Sequence, residues 1–394
     1  MDSAAERYLR LGLQLGRHAD GIVDAYFGPP ELAAAVQAEA PVDPRALVAD
    51  AEALLDELDD GWLRDQVAGA RTYAGVLAGE PISYADEVEG CFGVRPAYTD
   101  EAVITAAHER LEELLPGDGT PAERYERWQK SSLVPPDRVE GLMAAVIEEA
   151  RAWTRRLVDL PDGEGVAVEI VRDRPWWASC DYLGDLRSRV ALNADLPMSA
   201  FDLLALALHE TYPGHHTEAA CKEQLLVRGQ GLLEETLALV PTPQTLVSEG
   251  IGVLAPYVLL EGDGGAALAA LLHDAGVELD LAHALAVSRA HDPCRWAEVN
   301  AALLLHEDGA SHADAQAYLT RWALEAPEWA AHLVRFMTEP TQRTYIVTYS
   351  AGRELCGSYV AGDPGRFERL LTEQVRVREL LETAAAEPRA EGSR

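Results

Sequence analysis

The chain of 394 residues carries 66 acidic against 33 basic side chains, a formal charge of −33, and 48% of it is hydrophobic. That leaves enough apolar material for a core, while the charge repels a phosphate backbone and an anionic lipid surface, which argues against nucleic-acid and membrane partners. The acidic excess reads as a solvated face.

In chain order, the first segment places Arg7, Arg10 and Arg17 through its apolar positions and so lacks the uninterrupted apolar region of a signal peptide. Nowhere do apolar residues run for the ~18 that a membrane span needs. Cys91, Cys180, Cys221, Cys294 and Cys356 show no paired spacing and are expected to be reduced, in a cytoplasmic protein. Helical spacing follows at Leu47, Ala51, Leu54, Leu55 and Leu58, again at Leu142, Val146, Ala150 and Leu157, and then through most of Phe201 to Leu380. Turn chemistry punctuates it at Gly28-Pro29-Pro30, at Pro41 to Pro44, at Leu115 to Gly119 and at Leu160 to Gly163. The last of these divides the chain into an N-terminal helical subdomain, 1–160, and a metal-site catalytic subdomain, 161–384.

Just beyond that boundary the period changes to two. Val166, Val168 and Ile170 share one face, Val190 and Leu192 form a second short run, and together they predict a small antiparallel pair near 165–195. The connecting segment from Arg174 to Tyr182 carries Trp176 and Trp177, which either line a cleft or cap the sheet, and an exposed edge would suit an extended peptide. Residues 385–394 read as a frayed, disordered tail. The expected fold is mainly α with a small β element.

The segment that departs from core patterning is Leu203 to Leu208 running into His209-Glu210-Thr211-Tyr212-Pro213-Gly214-His215-His216. Three imidazoles and a carboxylate after a buried apolar stretch need partners, and a divalent cation satisfies several nitrogen lone pairs at once. In the familiar helical zinc motif two histidines four residues apart, about 6 Å along the axis, bind one ion while the Glu between them activates water. Here Pro213 occupies that position, and the following histidines lie about 9 and 10.5 Å along an ideal helix, too far to share an ion. Pro213 lacks an amide hydrogen and Gly214 tolerates unusual dihedrals, so a two-residue bulge is predicted that brings His215 to the vacant place. His209 and His215 are the expected ligands, with His216 behind them or touching substrate; the roles of His215 and His216 can also be exchanged. Glu210 is the candidate general base. His306, Glu307 and His312 repeat the offset, but the intervening Asp308-Gly309-Ala310-Ser311 reads as a helix end followed by a new N-cap.

His-Glu-x-x-Pro-Gly-His-His followed by Ser248-Glu249-Gly250 resembles a large bacterial family known as a numbered domain of unknown function. That family is similar to the Taq-type metallocarboxypeptidases, mainly helical zinc enzymes with a deep cleft, whose Tyr-x-x-x-Tyr-x-x-Gly motif is matched by Tyr345 to Gly352. The approach Asn193-Ala-Asp195-Leu-Pro197 also fits, and Asp24 to Pro29 is a weaker echo. The resemblance implies Glu249 as third ligand, Tyr349 and secondarily Tyr345 as hydrogen-bond donors to an oxyanion, and a helical zinc-metallopeptidase-like fold. Those enzymes keep the second histidine four residues after the first, and this chain does not. Arg353, one turn beyond Tyr349, either binds a substrate carboxylate or is a solvated helix arginine.

The expected activity is therefore a zinc-dependent hydrolase acting on an amide bond in a peptide or peptide-like small molecule. Two histidines and one carboxylate also form the iron site of non-haem oxygenases, so an Fe2+ enzyme is the alternative; a metal-retaining binding protein without turnover is a third.

Overall fold

A computed structural model of the chain describes residues 3–172, 177–193 and 195–386. It is mainly helical with two small sheets. The helical periodicities read from the sequence become, among others, Pro44–Glu57, Pro136–Thr154, Ala200–Glu210, Pro243–Leu260 and Ile346–Val360. Local chemistry sets their starts. Pro occupies the first turn of Pro44–Glu57, Pro136–Thr154 and Pro243–Leu260, where its missing N–H costs nothing. Ser199 caps Ala200–Glu210 by accepting from the Asp202 amide at 3.1 Å.

The β element differs from the expected antiparallel pair. Strands β1 (Val23–Tyr26), β2 (Gly165–Val171), β3 (Ala178–Gly184), β4 (Arg187–Asn193) and β5 (Leu237–Leu239) form two sheets. The two alternating runs do pair, Val168 opposite Val190 and Ile170 opposite Leu192, but they run parallel. The physical reason is the third strand. β3 folds back on β4 through a two-residue turn in which Asp185 (φ 51°) and Leu186 (φ 60°) are both left-handed, the geometry of a tight hairpin. The chain reversal is taken up there, which leaves β2 aligned with β4. β3, Ala178-Ser-Cys-Asp-Tyr-Leu-Gly184, has no apolar alternation to announce it. The Asp173 to Trp176 part of the connecting segment lies outside the described residues; Trp177 stacks on Trp329 with ring centroids 4.7 Å apart. The expected tail also falls mostly outside them, and its first two residues close the helix Val377–Ala386.

Three apolar clusters build the interior. One joins Tyr8, Leu9, Leu47, Leu54 and Tyr73 with Leu237 and Leu239 of β5. A second packs Leu142, Val146 and Ile147 against Leu203, Leu204, Leu208 and the sheet residues Val190 and Leu192. The third runs from Tyr84 to Leu380 and holds Leu246, Ile251, Ile346 and Leu355. The helix Ala200–Glu210 is thus anchored from below by the second cluster, and Pro243–Leu260 and Ile346–Val360 by the third. Cys91, Cys221, Cys294 and Cys356 are buried and free, and Cys180 is half-buried and free. Among the described residues no single helix is long and apolar enough to cross a membrane. At the His306 offset, the helix Trp296–His306 ends and Ser311 starts a new one with a capping box, while Glu307 accepts from the Ala85 amide at 2.7 Å.

Candidate metal centre

The helix Ala200–Glu210 ends two residues after its buried apolar face, at Thr211 (φ −122°, ψ −93°), and a new helix starts at His215. The break is complete, where a bulge within one helix was expected. Thr211 still donates to Ala207 O, at 3.0 Å from its amide, but Pro213 has no amide hydrogen with which to carry the ladder on. The chain instead turns tightly through Thr211–Gly214, and Thr217 closes the turn by donating its amide and its hydroxyl to Thr211 O at 3.2 and 3.1 Å. Gly214 is required by close approach: a Cβ there would lie 1.9 Å from the His209 carbonyl oxygen.

This turn brings His215 back beside His209, their Nε2 atoms 3.0 Å apart and their rings edge-on. Glu249, on the helix Pro243–Leu260, faces both: its Oε2 is 3.6 Å from His209 Nε2 and its Oε1 is 3.6 Å from His215 Nε2. Donors arranged tetrahedrally at 2.0–2.1 Å round one ion stand about 3.3–3.4 Å apart, so the observed separations bracket that spacing. His209, His215 and Glu249 form a group that could hold a metal ion. Glu249 is only 5% exposed, and its Oε2 is buried with no hydrogen-bond partner. An orphaned carboxylate oxygen in apolar surroundings is costly, and a cation coordinated jointly with two imidazoles removes that cost. The donor set therefore fits a divalent metal.

The charges agree with ligand roles. Burial, with His215 and Arg295 adding to it, pushes the His209 imidazole well down, so that it is neutral with a lone pair to give. At His215 burial acts in the same sense but is outweighed by Glu249, Glu210, Glu218 and Asp24, which hold its proton more firmly in the absence of a cation. His215 Nδ1 sits 3.2 Å from Ser248 Oγ, and the Ser248 hydroxyl donates at 2.6 Å to Glu218, itself paired with Lys222 at 2.7 Å. With Ser248 giving its proton to Glu218, His215 Nδ1–H is the donor to Ser248, which leaves Nε2 free to ligate. Glu210 is 7% exposed and makes no hydrogen bond among the described residues; burial, with Glu249 and Asp24 adding to it against His215, raises its carboxyl to about 7.

The remaining expected residues are distributed as follows. His216 does not join the group. Successive helical residues point about 100° apart, and His216 is buried on the far side with Nδ1 2.7 Å from Ser188 Oγ and Nε2 3.1 Å from Glu164 Oε2. Tyr345 donates to Glu249 Oε1 at 2.5 Å. Tyr349 stands next to it, ring centroids 5.5 Å apart, with its hydroxyl unpaired among the described residues. Arg353 is neither solvated nor free: it is ion-paired with Asp292, and its guanidinium covers the Tyr257 ring at 4.8 Å. Reading the sequence overlooked the Ser248–Glu218–Lys222 relay and Gly252, against which His209 lies so closely that a Cβ would meet its Cε1 at 2.7 Å. The signals were faint: a serine beside Glu249, a Glu–Lys pair four apart, and one glycine in a helix.

No family model matches the chain, and no curated protein matches it. Solved structures do. Two are putative lipoproteins, one from Colwellia psychrerythraea (TM-score 0.56, 15% identity, 86% of this chain and 66% of that one) and one, of unknown function, from Shewanella oneidensis (TM-score 0.53, 12% identity, 90% of this chain and 75% of that one). The chain thus spans just under two thirds of the Colwellia protein and shares its fold. A carboxypeptidase from Pyrococcus furiosus aligns more loosely, at TM-score 0.42 and 10% identity over 98% of this chain and 95% of that one.

Proposed function

We propose that this protein is a zinc-dependent hydrolase that cleaves an amide bond in a peptide or peptide-like small molecule. The observation that carries the reading is the His209–His215–Glu249 group with Glu210 directly after its first histidine, nearly buried and free of hydrogen-bond partners among the described residues. Three protein ligands leave one tetrahedral position open. A zinc ion held there would polarise the scissile carbonyl and favour ionisation of water.

The chain's own residues supply the rest. Glu210 accepts the proton from the attacking water as the C–O bond forms, and gives it to the departing amine as the tetrahedral oxyanion collapses and the C–N bond breaks. Its raised carboxyl matches a base that must also act as an acid near neutral pH. Tyr349 offers its hydroxyl to the oxyanion. Tyr345 holds Glu249 in place, and Ser248 does the same for His215.

The test uses His209→Ala and Glu210→Gln with wild type, metal content measured by mass spectrometry and peptide hydrolysis followed on a mixed library. His209→Ala should lose the metal. Glu210→Gln should keep it and lose hydrolysis by at least about 100-fold. Undiminished turnover in Glu210→Gln, or redox-active iron in place of zinc in the wild type, overturns the reading.

A further inference from the structure

The chain has two lysines, and each makes the same local contact: Lys130 donates to Glu126 at 2.5 Å and Lys222 to Glu218 at 2.7 Å, the partners four residues apart on a helix. Their surroundings differ. The first pair is exposed, where such a contact contributes little. Lys222 and Glu218 are only 4% and 3% exposed. A buried ion pair is often no better for stability than the apolar side chains that could replace it, so packing alone gives this one no purpose.

Its geometry does. The two carboxylate oxygens of Glu218 are divided between two sides. Oε1 accepts from Lys222 and, at 3.3 Å, from the side chain of Gln244, whose backbone amide is held by Gln66 at 3.0 Å. Oε2 accepts from the Ser248 hydroxyl at 2.6 Å. A hydroxyl has one proton to give, so Ser248 offers His215 Nδ1, 3.2 Å away, a lone pair. In the opposite direction Ser248 would donate to Nδ1, and the proton of a neutral ring would sit on Nε2. That is the atom 3.6 Å from Glu249 Oε1, in the ligand group. One hydroxyl therefore decides whether His215 presents a lone pair or a hydrogen to a cation, and an acceptor-only Glu218 decides the hydroxyl. Burial works against the charge on Lys222, but Glu218 and Glu235 outweigh it and hold the ammonium charged.

Resting on the metal site of the hydrolase reading, we propose that Glu218 and Lys222 are positioning residues for the metal: Lys222 holds Glu218 as an anion turned to Ser248, and Ser248, by donating to it, locks His215 in the tautomer that ligates through Nε2. Neither belongs to the ligand group. Lys222 acts from seven residues beyond His215, about 10.5 Å along the same helix.

The experiment measures zinc affinity of the full chain by competition with a chromophoric chelator, with melts of the metal-free protein alongside. Lys222→Met removes the charge at similar length, and Glu218→Gln, nearly isosteric, supplies an N–H that lets Ser248 turn round. Each should weaken zinc by at least about 10-fold, and Glu218→Gln carries the test if Lys222→Met does not fold. Lys130→Met, at the exposed pair, should stay within about twofold of wild type. In a Ser248→Ala background, where the path is already cut, Lys222→Met should add less than about twofold. The His215 Nδ1 proton, identified in nitrogen-15 spectra of zinc-loaded protein by its loss in His215→Ala, should exchange with water faster in Lys222→Met than in wild type. Equal zinc losses from Lys222→Met with and without Ser248, or affinities within twofold of wild type in both Lys222→Met and Glu218→Gln, overturn the proposal and leave the metal site standing. A wild type that binds no zinc refutes the metal site, and the hydrolase and the proposal with it.

Discussion

Replacing Gly252 by alanine tests whether the His209 position is set by the helix that carries Glu249. A Cβ at 252 would meet His209 Cε1 at 2.7 Å, Nδ1 at 2.8 Å and Nε2 at 2.9 Å, where ordinary contact begins at 3.4 Å. The ring must therefore retreat by about 0.7 Å, whereas ligand distances in a metal site hold to about 0.2 Å. Two effects oppose each other in the metal-free protein. Alanine in a helix interior gains about 0.5–1 kcal/mol over glycine, and overpacking costs about 1–3 kcal/mol, so the net change is a modest loss. Zinc binding has no such offset. Displacing a ligand or its support costs about 10–100-fold in affinity, which is about 1.4–2.8 kcal/mol. The assay is zinc competition with a chromophoric chelator, together with thermal melts with and without zinc at fixed free metal. By linkage the zinc-induced stabilisation should shrink by the same about 1.4–2.8 kcal/mol. A Gly252→Ala protein that binds zinc within twofold of wild type refutes the placement of His209 as a ligand pressed against this helix.

Tyr345→Phe removes the donor to Glu249 Oε1 at 2.5 Å, and zinc affinity measured by the same competition should fall about 10-fold with the apo melt little changed. Glu164→Gln probes the opposite side of the ligand turn, where burial would raise the carboxyl but hydrogen bonds from His216, Tyr212 and Arg151 outweigh it and hold it down to about 2. A carboxyl depressed below its unfolded value of about 4.3 stabilises the fold above that pH and loses the contribution as pH falls toward 2; denaturant melts should show the variant less stable at pH 7 and the gap to wild type closing between about pH 4.5 and 2.

The helices and the polar run His209 to His216 were legible because they rest on local chemistry: apolar spacing, proline and serine caps, and polar groups after an apolar stretch that demand partners; Glu249, on a separate helix, was suggested only by the resemblance. The choice between His215 and His216 was not, because it depends on the phase at which the chain re-enters a helix after Thr211–Gly214. That phase is set by the close approach of Gly214 to His209 O and by the bonds from Thr217 to Thr211 O, neither of which the histidine spacing encodes. The strand β3 was missed for a related reason: its partners, not its own residues, make it a strand, and without it the two alternating runs could only be imagined as a hairpin.

The short sequence Glu249-Gly250-Ile251-Gly252 carries more than its composition suggests. Residues two apart on a helix point about 200° apart, so Gly250 and Gly252 lie on opposite sides. Gly250 meets Gly352 and Cys356 of the helix Ile346–Val360, where a Cβ would stand 2.6 Å from Gly352 O. Gly252 meets His209. The helix is therefore held between the element that bears Tyr345 and Tyr349 and the element that bears the first histidine, each at glycine distance. Glu249, set between those two faces, reaches His209 and His215 on one side and takes the Tyr345 hydroxyl from the other. A larger residue at either glycine would push one wall away, and the carboxylate would lose either its tyrosine or its histidines.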